Sequence, residues 1–366
     1  MRIGIIGAGQ LGRMLALAGF PLGLRFQFVD RSADTPGGQV APILVGELDD
    51  VALLTELARH NDVVTFDWEN VSAQGLAAIE AHTTVLPPPA ALAASQDRLA
   101  EKELFRELRI PTPEFAVVDS EGDLERATTR IGLPGVLKTR RLGYDGKGQR
   151  VLRQTSDRSA AWRTLGGRAL IFEAFVDFSR EVSIIGARSR NGEICNYPLA
   201  ANVHAHGILS YTTAPYVHRS LQRLAEHYLR RVLQHFNYVG VLAIEFFVVR
   251  GRLLANEMAP RVHNSGHWTI EGAMTSQFEN HLRAIIGWPL GSTAATGHSA
   301  MLNFIGRLPD RARWLREPNL FFHDYGKQAR AGRKLGHCTV IEPTAARRDL
   351  RLRRLLSLRE RSISVG

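Results

Sequence analysis

Glu245 and Glu257 stand twelve positions apart in GVLAIEFFVVRGRLLANEMAPRVHNSGHW, residues 240–268, each inside an otherwise apolar run. Val241, Ile244, Phe246, Phe247, Val248 and Val249 are strand formers, Arg250-Gly251 reads as a turn, and Leu253-Leu254-Ala255 returns. A carboxylate in such a run is costly unless a positive partner compensates it. A hard cation would do so: Mg²⁺ takes one or two carboxylates and fills its shell with phosphate oxygens and water. Asn256 could add a further oxygen. Register decides whether the acids share an ion. A two-residue loop puts Glu245 opposite Asn256, and a three-residue loop puts it opposite Glu257. The sequence leaves both open, and an acid paired with a distant Arg is the alternative to a metal. Pro260 ends the strand. Arg261, His263, Asn264, Ser265, Gly266 and His267 then follow within seven residues. These groups bind anions and handle protons, and they lie past a strand end, where sites on α/β sheets form.

A second set lies upstream. Lys138 sits in the apolar run GVLKT, where it could reach phosphate as a point charge or simply guard a strand edge. Gly143-Tyr144-Asp145-Gly146-Lys147-Gly148-Gln149 follows, a glycine-rich loop whose N–H groups can wrap a triphosphate.

The elements that must position these groups read as α/β. Arg2–Gly7 is a strand, and Gly7-Ala8-Gly9-Gln10-Leu11-Gly12 opens a helix. With Asp30 ending the next strand, this pattern also fits a dinucleotide site, so an NAD-dependent oxidoreductase is the rival reading. A helix over 51–60, a strand over 62–66, a helix capped by Ser72 and a strand over 83–86 continue an open parallel sheet, which Pro87-Pro88-Pro89 closes. Residues 90–108 read as one helical stretch. In it Asp97–Glu101 and Arg98–Lys102 are like-signed i,i+4 pairs, so these charges should be used elsewhere. A smaller unit follows: strand 115–118, helix 120–131, strand 135–139 and strand 169–172. Asn191-Gly192 signals a two-residue hairpin turn. His204 is expected in a loop, residues 220–236 in a long helix, and Phe278, Leu282 and Ile285 on the buried side of a helix over 276–286. The chain turns β again from Ala300.

Composition bounds the class. Of the 366 residues 45% are hydrophobic and 22% charged, which is ordinary globular composition with room for two or three domains. No apolar run reaches the length of a membrane span, and a strand begins at once after Met1, leaving no room for a signal peptide. Two distant cysteines, Cys195 and Cys338, point to a reducing compartment, the cytoplasm, and to no structural zinc. The net charge of +10 fits anionic small molecules or nucleic acid. About half of it lies between Arg347 and Arg361. That stretch reads as a solvated helix face, with Leu352, Leu355, Leu356 and Leu358 packing inward, rather than as a nucleic-acid reader.

The Glu245–Glu257 hairpin with PRVHNSGHW resembles the metal and substrate segment of the ATP-grasp enzymes, and HNSGHW is similar to the carboxyaminoimidazole ribonucleotide synthetase family. GAGQLGRM, TFDWENV, KTRRLGYDGKGQ, NVHAHGIL and GRKLGH resemble segments of the same family, in order along nearly the whole chain. The family usually has Glu at Asp67, Gly at Leu142 and an acid at Ala201. The resemblance implies an ATP-grasp fold, α/β with α+β character in the core: an N-terminal open parallel-sheet domain (1–92), an ATP-grasp domain (93–293) with a small lid (about 113–175), and a C-terminal β-rich subdomain (294–366). It implies a ligase that binds ATP with Mg²⁺, or Mn²⁺ in its place, on Glu245 and Glu257. ATP would be held by Arg98, Lys138, Gly143, Tyr144, Asp145, Gly146, Lys147, Gly148, Gln149, Glu173, Ala174, Phe175, Val176, Glu181, His204, Asn256 and Glu257. The substrate, 5-aminoimidazole ribonucleotide, would meet Gly9, Gln10, Leu11, Glu69, Asn264, Ser265, Arg333 and Lys334, the last two on its phosphate. Arg261 would hold bicarbonate, and either His263 or His267 would handle the amine proton. The implied partners are these small molecules and a second copy in a homodimer, with no nucleic acid and no membrane. A formate- or glycine-using purine enzyme is the nearest confusion within the fold.

Overall fold

The computed structural model describes residues 1–143 and 146–364, the side chains of 361–364 excepted. Among the described residues the strands form three sheets, of five, four and nine strands. The first contains β1 (Arg2–Ile6), β2 (Arg25–Asp30), β3 (Ile43–Val45), β4 (Val63–Phe66) and β5 (Thr84–Val85) in the order β3-β2-β1-β4-β5. Its pairings are parallel. Helices α1 (Gln10–Gly19), α2 (Val51–His60) and α3 (Ala73–Ile79) return the chain between strands. Asp50 and Ser72 cap α2 and α3 by accepting backbone N–H groups that the first turn cannot use. β3, too short to signal itself, was not expected.

The expected single helix over 90–108 is two: α4 (Pro89–Ser95) and α5 (Arg98–Glu107). Asp97 breaks it. Its backbone is extended, and its carboxylate accepts the Leu99 N–H at 2.9 Å and takes Arg140 through Nε and Nη2 at 2.9 and 2.7 Å. The long-range ion pair and the cap together outweigh one more helical turn.

The four-stranded sheet, in the segment expected as the lid, is antiparallel: β6 (Phe115–Val118), β7 (Gly135–Thr139), β8 (Gln149–Leu152) and β9 (Leu170–Ala174), ordered β6-β9-β7-β8. Helices α6 (Glu121–Ile131), capped by Ser120, and α7 (Asp157–Leu165) pack their apolar residues on it.

The nine-stranded sheet holds β10 (Arg180–Arg188), β11 (Ile194–Asn196), β12 (Ala200–Ala205), β13 (Ile208–Ala214), β14 (Gly240–Val249), β15 (Arg252–Ala259), β16 (His298–Ile305), β17 (Leu320–Asp324) and β18 (Lys334–Glu342). Its path is β15-β14-β10-β12-β13-β16-β18-β17, so the segment after residue 294 shares a sheet with the hairpin. Two expectations are corrected. His204 lies on β12, not in a loop. The turn at Asn191-Gly192 is wider than two residues, because the Ser189 N–H bonds the Glu193 carbonyl across three residues.

Helices α8 (Arg219–His235), α9 (Thr269–Gly272), α10 (Gln277–Ile286), α11 (Arg311–Trp314) and α12 (Ala345–Ser364) cover this sheet. Phe278, Leu282 and Ile285 of α10 share one apolar core with Leu11, Met14 and Leu15 of α1, which fixes the first sheet onto the ninefold one. Leu352, Leu355 and Leu358 of α12 pack inward, while Arg351 and Arg354 meet Glu317 at 3.0 and 2.8 Å. The basic tail is therefore a packed helix whose arginines are partly paired. Among the described residues no helix is long and apolar enough to cross a membrane.

Candidate active site

The hairpin resolves the register in a way neither expectation foresaw. Its loop is two residues, Arg250 and Gly251, both at positive φ (48° and 74°), and Val249 pairs with Arg252. The ladder then shifts next to Glu245, leaving Asn256 as an extra residue, and Glu245 pairs with Glu257. A β-bulge thus brings the acids face to face despite the short turn. Burial would raise the Glu257 carboxyl, but Arg98 outweighs it with Nη1 3.2 Å from Oε2, and Glu257 stays ionised. Glu245 is pushed up to about 7, first by burial and, despite His204, by the charge of Glu257. His263 Nε2 lies 3.8 Å from Glu245 Oε1. The Asn256 Oδ1 is buried without a hydrogen-bond partner. Two opposed carboxylates, one undercompensated, and an orphaned amide oxygen fit Mg²⁺ that shares its shell with phosphates. Among the described residues no three acidic, His or Cys side chains converge to cage an ion.

The like-signed charges of α5 are indeed used elsewhere. Arg98 reaches Glu257 and the Gly143 carbonyl, and Glu101 accepts the Met258 N–H at 2.6 Å. Lys102 is fully buried and donates to the Asn256 and Ala255 carbonyls at 2.8 and 3.3 Å. It also lies 3.4 Å from Glu173 Oε2, which Lys138 holds at 3.0 Å. Burial would raise the Glu173 carboxyl, yet the cations hold it at about 2. Glu173 is 2% exposed and meets two lysines, so it anchors the lid to the core, with Oε1 alone unpartnered.

The segment after Glu173 opens outward: Ala174 ends β9 and Phe175 is exposed. Glu181 and His204, expected separately, form one pair at 2.9 Å. That hydrogen bond overcomes burial and lifts the imidazole to about 9. In the glycine loop, a Cβ at Gly146 would stand 3.1 Å from the His206 carbonyl, so the lid loop rests on the β12–β13 turn. Lys147 is exposed and Gln149 starts β8. Tyr144 and Asp145 lie outside the described residues. Leu142 has φ 61°, a left-handed conformation that favours glycine, which accounts for the residue expected there.

On the other side of the hairpin, Glu69 from the first sheet pairs with Arg261 at 2.8 Å, and the Arg261 Nε is buried without a partner. Below them the N-terminal glycine loop closes on Asp67. Asp67 Oδ2 accepts the Gly12 N–H at 3.1 Å, and a Cβ on Gly7 would fall 1.9 Å from Oδ1. Burial, opposed by that N–H, raises Asp67 to about 6. Both Asp30 oxygens accept backbone N–H groups, from Ala8 and Arg31 at 2.7 Å each. The acid that a dinucleotide site would give to a ribose is thus committed to its own loop.

Of the two candidate histidines, His263 borders the cleft beside Glu245. Burial and the charges of Arg261 and Lys334 keep it neutral. His267 is corrected: it is 0% exposed and sits among Phe278, Tyr325 and His337. Ser265 is also 0% exposed and bonds His263 instead of facing the cleft. Asn264 exchanges two amide hydrogen bonds with Asn303. Lys334 lies close enough to Glu245 and His263 for its charge to bear on both, and Arg333 is half-buried one residue away. Lys327, which sequence reasoning missed, hydrogen-bonds Gln10 over the first glycine loop. An isolated Lys in a loop carries no signal until the fold brings it there.

Residues 1–96 match the ribonucleotide synthetase preATP-grasp domain, 103–278 the ATP-grasp domain, and 299–350 the phosphoribosylaminoimidazole carboxylase C-terminal domain. The chain is 52% identical to the N5-carboxyaminoimidazole ribonucleotide synthase of Pseudomonas aeruginosa over 93% of its own length and 94% of the relative's. It is 36% identical to that of Bacillus subtilis, over 93% and 91%. The crystal structure of the Thermus thermophilus synthetase superposes with a TM-score of 0.92 at 50% identity, covering 96% of this chain and 97% of that one. The Aspergillus clavatus synthase in complex with ADP and 5-aminoimidazole ribonucleotide does so at 0.92 and 29% identity, covering 98% of each. With likeness of that depth running through the glycine loop, the lid and the acid hairpin alike, this chain belongs to the N5-carboxyaminoimidazole ribonucleotide synthase family of ATP-grasp ligases.

Proposed function

We propose that the cleft carboxylates 5-aminoimidazole ribonucleotide with bicarbonate and ATP, giving N5-carboxyaminoimidazole ribonucleotide, ADP and phosphate. The observation that carries this reading is the pairing of Glu245 with Glu257 beside Arg98, with the Arg261–Glu69 pair on the adjoining wall. ATP would lie between lid and core. Lys138, Lys147 and the loop from Gly143 to Gln149 would face its phosphates. Ala174, Phe175 and Val176 would line the base, and Glu181 with His204 the ribose. Mg²⁺ on Glu245 and Glu257, with Asn256 beside them, would neutralise charge building on the transferred phosphoryl group.

A bicarbonate oxygen, held by Arg261, attacks the γ-phosphorus, and ADP leaves. The resulting carboxyphosphate separates into CO₂ and phosphate, and the exocyclic amine bonds the CO₂ carbon and gives its proton to the released phosphate. The protein's share is positioning and charge neutralisation. Gly9, Gln10, Leu11 and Glu69 would hold the imidazole nucleotide, with Lys327, Arg333 and Lys334 at its phosphate. We take 1–92, 93–293 and 294–366 as the working units. Free Cys195 and Cys338 suit the cytoplasm, and a homodimer is carried over from the resemblance.

The test is phosphate release from ATP with bicarbonate and the imidazole nucleotide each omitted in turn. Both should be required for full turnover. Glu257→Gln should abolish turnover with the circular dichroism spectrum unchanged. Normal ATP hydrolysis by that variant would overturn the metal assignment.

A further inference from the structure

Behind His263 runs a buried line of hydroxyl and amide groups reaching from β13 to the cleft. The Thr212 Oγ1 donates to Asn202 Oδ1 at 2.9 Å, and Asn202 Nδ2 donates to Ser183 Oγ at 3.0 Å. Ser183 Oγ donates to Ser265 Oγ at 2.8 Å, and Ser265 Oγ is 2.9 Å from His263 Nδ1. Thr212, Asn202, Ser183 and Ser265 are each at most 3% exposed, so water does not compete for these bonds.

The line has a direction. Asn202 is its one member with distinct donor and acceptor ends; each hydroxyl passes on a single hydrogen. With the amide nitrogen facing Ser183, that hydroxyl must give its hydrogen to Ser265, and Ser265 gives its own to Nδ1. A reversed amide would reverse every step and put a hydrogen on Nδ1. The Ser265 backbone N–H decides between them. It points at Nδ1 from 3.3 Å, and two N–H groups cannot face each other there. Nδ1 is therefore the acceptor, and the ring hydrogen is on Nε2, on the side of Glu245.

We propose that Thr212, Asn202, Ser183 and Ser265 are positioning residues that hold His263 as its Nε2–H tautomer, so that the ring donates a hydrogen bond to an anionic oxygen in the cleft. The catalytic meaning rests on the carboxylation reading; the tautomer does not. In that reaction His263 steadies a bicarbonate or carboxyphosphate oxygen. It does not accept the amine proton, because Nε2 has no free electron pair.

The experiment is ¹⁵N NMR on histidine-labelled protein, with the His263 ring assigned by its loss in His263→Asn. In the unsubstituted protein Nδ1 should resonate as an unprotonated, hydrogen-bonded nitrogen and Nε2 as a protonated one. A hydrogen on Nδ1 would overturn the proposal without any variant being made. Asn202→Asp supplies only acceptors, so it draws the Ser183 hydrogen away and leaves the Ser265 backbone N–H alone to hold Nδ1 as the acceptor. It should move the two nitrogen signals part of the way towards each other and lower kcat at least threefold, while KM for ATP stays within about twofold. Ser183→Ala, a milder cut, should blur the tautomer and lower kcat less. Unchanged signals in both variants would sink the idea. Wild-type turnover that fails without any change in the ring signals would instead sink the carboxylation reading.

Discussion

Lys102→Met tests whether a buried cation holds the lid to the acid hairpin. The ammonium is fully buried, donates to the Asn256 and Ala255 carbonyls at 2.8 and 3.3 Å, and lies 3.4 Å from Glu173. Removing one partner of a buried ion pair costs about 3–5 kcal/mol, because the other charge is left behind. Here Lys138 still holds the same Glu173 oxygen at 3.0 Å, which places the electrostatic loss at or below the low end of that range. The two carbonyls lose charge-assisted hydrogen bonds of about 1.5–3 kcal/mol each, and relief from desolvating the ammonium offsets much of that. We expect a net loss of about 3 kcal/mol. Urea titration followed by tryptophan fluorescence would read it, with the Glu173→Gln single and double variants completing a cycle. The double variant should be less destabilised than the sum of the singles by about 1–2 kcal/mol, as contacting residues are. KM for ATP should rise in Lys102→Met, since the bulge carbonyl that sets Asn256 and Glu257 is no longer held. A loss under about 1 kcal/mol, or a cycle additive to within about 0.5 kcal/mol, would refute the reasoning.

Gly7→Ala should destabilise the first sheet by more than about 2 kcal/mol, because φ is +92° and the new Cβ would fall 1.9 Å from Asp67 Oδ1. Adding Asp67→Ala should recover part of the loss, seen as a partial return of the thermal midpoint. The His204–Glu181 pair predicts a pH slope in the ligand-free protein. Its folded value of about 9 lies above the free imidazole's, so its contribution is complete below about pH 6.5 and fades as pH rises through 9. The full contribution is at most about 3 kcal/mol, and His204→Gln should flatten that part of the stability–pH curve.

Much of the fold was legible because its signals are local. Arg250-Gly251 marked a turn that needs two positive φ values, and Ser72 and Ser120 marked helix starts whose N–H groups need an acceptor. The apolar runs at 2–6, 63–66 and 135–139 could only be strands sheltered on both sides or packed on helices. The candidate site was legible as a set of residue types, above all two acids in an apolar hairpin, but not as a set of contacts. The break at Asp97 answers to Arg140, forty-three residues away, and no propensity encodes that ion pair.

By itself, then, the sequence determined most of the longer strands and helices, where glycine must turn the chain, and which charges had no local reason to exist. Only the tertiary structure decided which charge meets which. It placed the bulge at Asn256 that pairs Glu245 with Glu257, gave Glu173 to Lys102 and Lys138, and shut His267 and Ser265 inside. It also brought Lys327 to Gln10 across 317 residues of chain. The physical reason is range. Backbone preference and periodicity act over a few residues and repeat in any similar stretch. The compensation of a buried charge depends on which groups packing leaves within about 4 Å of it, and those groups come from anywhere in the chain.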